Sequence, residues 1–279
     1  MKKRFSTARI INTIFTLFFF AFAAFFIMPI AWVVLSSMKT GPELIKPFYT
    51  LPESIYFGNY IDVFGIAAFE FAALNSLMIT VVSVFFIVLL SSMASYAIAR
   101  WDNKVTYILY VLFISGMVLP FISIMVPFLR VASFFGIVGR PGLIILYVAM
   151  GMSLATFLIT GFVRSSVPIE MEESMAIDGA STVQIFFFLV LPMLRPIIIT
   201  VAMLNIIWVW NDYLLPSIML TNYRMFTLPL VQTQLNTQFF QQWNTLFAAF
   251  TLSMIPMFIL FFSCQRYVVK GITDGAIKG

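Results

Sequence analysis

The chain has 279 residues, 62% of them hydrophobic and only 10% charged, with a mean hydropathy of +1.02 and a formal net charge of +5. Soluble domains keep roughly a quarter of their residues charged, so this composition implies an integral membrane protein and excludes a soluble globule. The sequence has no histidine, which excludes Ser-His-Asp triads and histidine-ligated zinc or haem, and its single cysteine, Cys264, excludes a disulfide or CxxC site.

The expected fold is all-α: one transmembrane domain over 1–279 with six spanning helices, at about 11–36, 72–99, 105–128, 141–163, 196–215 and 245–266. Each is read from an apolar window close to the ~20 residues that a membrane-crossing helix needs. The start, MKKRFSTARI, has the charge of a signal peptide. Its apolar run continues to Met38, however, well past a secretory core of ~7–15 residues. The first span is therefore expected to stay uncleaved.

The stretch 39–70, with Pro42, Pro47 and Pro52, is expected to form a compact outside loop. ARWDNK is short, so spans two and three should form a helical hairpin, and the glycines and Pro141 of RVASFFGIVGRP mark turns between spans three and four. Six spans put both termini on one side. With that side cytoplasmic, eleven of the sixteen lysines and arginines face inward, as the positive-inside rule requires. The positive charge then reflects topology and implies no nucleic-acid partner.

Between spans four and five lies a cytoplasmic stretch, 164–195, that gathers four of the chain's eleven acidic residues, Glu170, Glu172, Glu173 and Asp178. Ser165 or Ser166 can cap a helix with Pro168 in its first turn, and Gly179 can end it. Ser181 or Thr182 can cap a second short helix that runs to Pro192. The expectation is a helix–glycine–helix elbow. Ile169, Met171, Met175 and Ile177 scatter among the acids on a helical wheel, so no face suits lipid. An anionic leaflet would also repel the carboxylates, and a protein socket fits better. No GxxxxGK[ST] loop is present to hold a nucleotide.

Near the end of span five, Trp208, Trp210, Asn211, Asp212 and Tyr213 combine aromatic rings with polar groups. An ionisable residue beside a span is a functional candidate. These groups suit sugar stacking and hydrogen bonding, an interfacial aromatic belt, or a helix-end cap. Asn75, with Ser91, Ser92, Ser95 and Tyr96, suits either a substrate pathway or polar contacts between helices. The segment 216–243 is rich in amides, among them Gln232, Gln234, Gln238, Gln241 and Gln242, which suit hydrogen bonding to a sugar or a protein backbone, or simple solvation.

Within the elbow, Glu173-Ser174-Met175, three residues, Gly179, nine residues and then Leu189-Val190-Leu191-Pro192 resemble the EAA loop of ATP-binding-cassette importer permeases. Ser174 and Met175 replace two alanines of that pattern, and Leu189 replaces an isoleucine. The longer stretch MEESMAIDGASTVQIFFFLVLPMLRP is similar to the carbohydrate branch of the family. So are NSLMIT at 75–80, ASYAIARW at 94–101, WNDYLLP at 210–216 and QRYVVKGITDGAIKG at 265–279.

The resemblance covers about residues 30–279 and is nearest to the smaller, six-span, maltose-permease-like subunit. It implies a subunit of a binding-protein-dependent sugar importer in a bacterial plasma membrane, with no catalytic or metal site of its own. It further implies an elbow that docks on a dimer of separate ATPase subunits, which would hold ATP and magnesium. The contact would involve Glu172, Glu173, Ser174, Met175, Asp178, Gly179, Ala180, Leu191 and Pro192, with Glu172 the less diagnostic acid and simple solvation its alternative. A second permease subunit, forming a heterodimer, and an extracellular or periplasmic solute-binding protein touching the glutamine-rich segment are implied as well. The alternative is a secondary transporter driven by an ion gradient.

Overall fold

The structure, a computed structural model, describes the backbone of residues 7–47, 49–65, 69–101, 103–238 and 243–276, and the side chains of these except 7, 8, 10, 234–238 and 266–276. The described residues contain helices and no strand. In chain order these are α1 (Thr7–Ser36), α2 (Gly41–Leu44), α3 (Gly58–Gly65), α4 (Phe69–Arg100), α5 (Lys104–Val118), α6 (Phe121–Phe134) and α7 (Gly139–Ser166). The elbow follows with α8 (Ile169–Ile177), α9 (Thr182–Ile185), a π-helical stretch Phe186–Val190 and α10 (Leu191–Met193). Then come α11 (Arg195–Asn211), α12 (Leu214–Met219), a 3₁₀ turn Tyr223–Met225, α13 (Leu228–Gln238) and α14 (Trp243–Ala276).

Four helical stretches are long and apolar enough to cross a membrane: Ile11–Ser36, α4, α7 and Trp243–Gln265. Two more meet the test only as bent pairs, α5 with α6 at 117° and Thr182–Met193 with α11 at 74°. The windows 105–128 and 196–215, each expected as one spanning helix, thus contain or adjoin a sharp bend. At the first bend Leu119 has ψ 119° ahead of Pro120, because a proline ring drives the preceding residue out of the helical region. Within the amide-rich segment 216–243, the described residues include the end of α12, the 3₁₀ turn and α13.

The chain divides into two compact units, Met1–Ala67 with Gln232–Ile255, and Ala68–Val231 with Pro256–Gly279. In the second unit α4 packs most extensively on α7, and α11 joins both. Lipid is as apolar as leucine, so close packing rather than escape from water must hold these helices together. The contact is accordingly built from small residues: Ser83, Ser91, Ser92 and Ser95 of α4 are fully buried, as are Ala155, Thr156 and Thr160 of α7. A Cβ at Gly151 would lie 2.5 Å from Ile87 Cδ1 and 2.8 Å from Asn205 Oδ1, so glycine permits the three-helix approach. Below it, Ile87, Ile159, Val163, Phe186, Val190, Leu194 and Val201 form one apolar core that reaches into the elbow.

Within the 39–70 stretch expected as an outside loop, the first unit forms α2 and α3, and polar groups pin the chain around them. Asn59 Nδ2 donates to the carbonyls of Ser37 and Lys39, both at 2.8 Å, and its Oδ1 accepts from Asn244 Nδ2 at 2.6 Å. The Glu43 carboxylate accepts from the Thr40 and Glu53 amides at 2.9 and 3.3 Å. The Thr40 hydrogen bond holds its pKa below the ordinary 4.5. Lys46 pairs with Glu53.

Candidate functional site

The elbow begins where α7 ends. Val167 is extended (φ −108°, ψ 107°) ahead of Pro168, for the same steric reason as Leu119. Ser165 and Ser166 finish α7 rather than cap α8, and Pro168 takes the N-cap position without a side-chain bond. Serine was expected there because of its capping chemistry; the pre-proline restriction at Val167 decides the boundary instead.

Gly179 ends α8 at φ +87°. The Gly179 amide donates to the Ala176 carbonyl and the Ala180 amide to the Met175 carbonyl, each at 3.0 Å. This is the paired closure of a Schellman turn, which requires the left-handed region that glycine enters freely. A Cβ on Gly179 would meet nothing within 4 Å. Glycine is needed here for backbone conformation and not for room inside the chain. Ser181 then caps α9, its amide donating to Gln184 Oε1 at 2.7 Å while its hydroxyl accepts from the Gln184 amide at 3.4 Å.

The second helix does not stop at Pro192. The Leu191 amide reaches back five residues to the Phe186 carbonyl, and the helical path continues to Met193 before the bend into α11. A π turn thus leads directly into Pro192, which has no amide hydrogen to donate.

Burial sorts the elbow residues into two sets. Glu170, Glu173, Ser174, Asp178, Gly179 and Pro192 are exposed, whereas Met175, Ala180 and Leu191 rest against the apolar core. Glu172 is not solvated: it is only 8% exposed and points inward. Its Oε1 accepts from Arg100 Nε at 2.8 Å and Nη2 at 2.7 Å, and its Oε2 accepts from Tyr96 OH at 2.9 Å. Arg100 Nη2 also donates to the Val167 carbonyl at 2.7 Å. Sequence reasoning named Tyr96 among residues suited to polar contacts between helices, but it missed Arg100 and the shared partner, which lies 72 residues from Arg100 and 76 from Tyr96. Ile169, Met171 and Ile177 stay exposed beside the acids, so the outer face of α8 mixes apolar and anionic groups and has no partner within the described chain.

At the second cluster, Asp212 Oδ2 accepts from Tyr147 OH at 2.8 Å and Oδ1 from the Leu214 amide at 3.1 Å. The carboxylate therefore caps the turn into α12, and Tyr147, not singled out from the sequence, holds it. Trp208 stands edge-on to Tyr147, ring centroids 5.4 Å apart. Trp208, Asn211 and Tyr213 are open, while Trp210 is buried. Asn211 Nδ2 donates to the Ile207 carbonyl at 2.7 Å.

Asn75 is 4% exposed and committed within the chain. Its Nδ2 donates to the Arg224 and Phe226 carbonyls at 2.9 and 3.0 Å, and its Oδ1 accepts from Arg140 Nη1 at 2.7 Å. Beside it the Leu228 amide donates to Ser76 Oγ at 2.8 Å. These bonds fasten the 224–228 segment to α4. In the glutamine-rich segment, Gln232 Nε2 donates to Ser253 Oγ at 2.6 Å. The side chains of Gln234 and Gln238, and the whole of Gln241 and Gln242, lie outside the described residues.

Residues 91–274 match the family described as binding-protein-dependent transport system inner membrane component. The chain is 36% identical over 252 residues to the probable starch degradation products transport system permease protein AmyC of Thermoanaerobacterium thermosulfurigenes, covering 90% of this chain and 92% of that protein. It is 33% identical to the multiple sugar-binding transport system permease protein MsmG of Streptococcus mutans, covering 90% and 92%. It is 32% identical to the melibiose/raffinose/stachyose import permease protein MelC of Bacillus subtilis, covering 83% and 84%. Among solved structures, a chain of a bacterial ABC transporter involved in the import of the acidic polysaccharide alginate superposes with a TM-score of 0.79 at 21% identity, over 94% of this chain and 98% of that one.

Proposed function

The chain belongs to the family of binding-protein-dependent transport system inner membrane components, and from that premise we propose how its elbow, its termini and its open polar clusters serve sugar import. It is a permease subunit of an ATP-binding-cassette importer, a transport protein and not an enzyme. The named relatives handle starch degradation products, multiple sugars and the melibiose, raffinose and stachyose group, which supports a sugar or oligosaccharide as the cargo here. Nothing in the family favours the ion-gradient alternative.

In this reading the chain is one transmembrane domain with six spans: α1, α4, the bent α5–α6 pair, α7, the bent path through α11, and α14. Both termini and the elbow face the cytoplasm. The elbow meets an ATPase dimer that holds ATP and magnesium. Glu173, Ser174, Asp178, Gly179 and Pro192 face that partner, while Met175, Ala180 and Leu191 seat the elbow on the core. Glu172 supports this contact from behind. A second permease completes the pathway, and a solute-binding protein docks beside the segment from Gln232 to Gln242, including Gln234, Gln238 and Gln241. Trp208, Asn211, Asp212 and Tyr213 contribute polar and aromatic groups towards the cargo. Asn75 and Trp210, both buried, shape the pathway without lining it.

Cargo moves by alternating access. ATP closes the ATPase dimer, the elbow passes that displacement to the helices, and hydrolysis resets them. The observation that carries this reading is the exposed face of α8, where carboxylates and bare apolar side chains sit together without a partner among the described residues. Neither water nor an anionic membrane surface suits that mixture, and a protein socket does. Affinity purification of the tagged chain from native membranes tests the reading. A cassette ATPase, a second permease and a solute-binding protein should copurify. Their absence under conditions that preserve other importers would overturn it.

A further inference from the structure

We propose that Arg100, Glu172 and Tyr96 form the joint that makes α8 and the end of α4 move as one body. A displacement imposed on the elbow then reaches the α4–α7 core without slack. The inference rests on the reading of α8 as the ATPase-docking helix and adds the residues through which its motion is passed on.

The case begins with how loosely the backbone holds α8. The helix has nine residues and a chain break at each end: extended Val167 and Pro168 before it, and left-handed Gly179 in open space after it. A short helix between two breaks pivots unless side chains hold it laterally. Among the described residues, the side-chain hydrogen bonds from α8 to another helix all converge on Glu172.

The converging groups come from the right places. Arg100 is the last residue of α4, Tyr96 lies one turn earlier, and Arg100 also reaches the Val167 carbonyl at the end of α7. One guanidinium therefore gathers the ends of α4 and α7 and the first half of α8. Tyr96 extends the joint, its ring lying 5.6 Å from that of Phe186 in the π-helical stretch. The Arg100 and Glu172 side chains are 12% and 10% exposed, so salt screens the pair little.

Stability alone does not call for charges here, because a buried ion pair is often no better than well-packed apolar residues. What it adds is direction. The planar guanidinium fork allows few orientations of its acceptor, whereas apolar side chains slide over one another. Direction is what a transmitting element needs. Of the four acids in the elbow, only Glu172 is turned inward; Glu170, Glu173 and Asp178 remain available outside.

The test is a distance measurement between spin labels on two exposed residues, Met93 of α4 and Ile169 of α8, placed in a Cys264→Ser background. The sample is the full chain in its assembled importer, nucleotide-free and trapped with ATP and vanadate. The native joint should give one distance in both states, and Glu172→Ala should give a distance that changes with nucleotide. Where Glu172→Ala fails to assemble, the double variant Tyr96→Phe with Glu172→Gln, which nearly preserves side-chain volume, should show the same dependence. A native distance that changes with nucleotide overturns the proposal, and so does an assembled variant whose distance stays constant. A preparation without any ATPase would instead refute the docking reading of the elbow.

Discussion

Individual residues in this chain are held by backbone geometry in one place and by hydrogen bonding in another, and substitutions separate the two. At Gly179 a Cβ would meet nothing within 4 Å, but the φ of +87° costs an ordinary residue ~1–2 kcal/mol. Gly179→Ala should therefore weaken the elbow by about that amount, read as faster proteolysis at the turn. Gly179→Trp should abolish uptake while the protein still inserts, because the ring would occupy the open face that the docked partner needs. Normal uptake by an inserted Gly179→Trp variant would count against the docked elbow. Asn75 is the opposite case. Asn75→Ala leaves Arg140 Nη1 and the Arg224 and Phe226 carbonyls without this partner, and stranding the buried one, at Phe226, costs ~1–3 kcal/mol. A lower thermal midpoint in detergent should follow, with Ser76→Ala, which removes one acceptor for the Leu228 amide, showing a smaller drop. Gly179 was legible in the sequence because its backbone requirement is local. The commitment of Asn75 was not, since its partners lie 65 to 151 residues away.

Elements show the same division. Apolar length announced α1, α4, α7 and α14, and the short ARWDNK segment announced the close succession of α4 and α5. The bends at Pro120 and in the α10–α11 region were not read, although the prolines were visible. Proline inside an apolar run is compatible with a kink, a break or a continued helix, and neighbouring packing selects among them. At 186–190 a π-helical stretch carries the path through Pro192, an outcome that no residue pattern distinguishes from termination. The α4–α7–α11 contact depends on Gly151. Gly151→Leu should force Ile87 and Asn205 apart, with an overpacking cost of ~1–3 kcal/mol. Loss of monodisperse protein on size-exclusion chromatography would report it, and Gly161→Leu, where nothing lies within 4 Å, should be tolerated.

For the whole molecule, orientation is the first quantity to measure. With Cys264 replaced, Ile177→Cys should react with a membrane-impermeant maleimide only in inverted vesicles, and Ile45→Cys only in intact spheroplasts. Both native side chains are open, 86% and 89% exposed, so reagent access is not limiting, and the reverse pattern would invert the topology. The sequence by itself determined that the chain lives in a membrane, that it carries an acid-bearing elbow closed by a glycine, and that no nucleotide loop or histidine chemistry is available. These follow from composition and short-range chemistry, which need no knowledge of the fold. The tertiary structure alone decided that Glu172 faces inward to Arg100 and Tyr96, that Tyr147 holds Asp212, and that Asn75 fastens the 224–228 segment. The reason is physical: a polar side chain in a low-dielectric interior takes whichever partner the packing of distant helices brings within reach, and that proximity is not encoded in any local spacing.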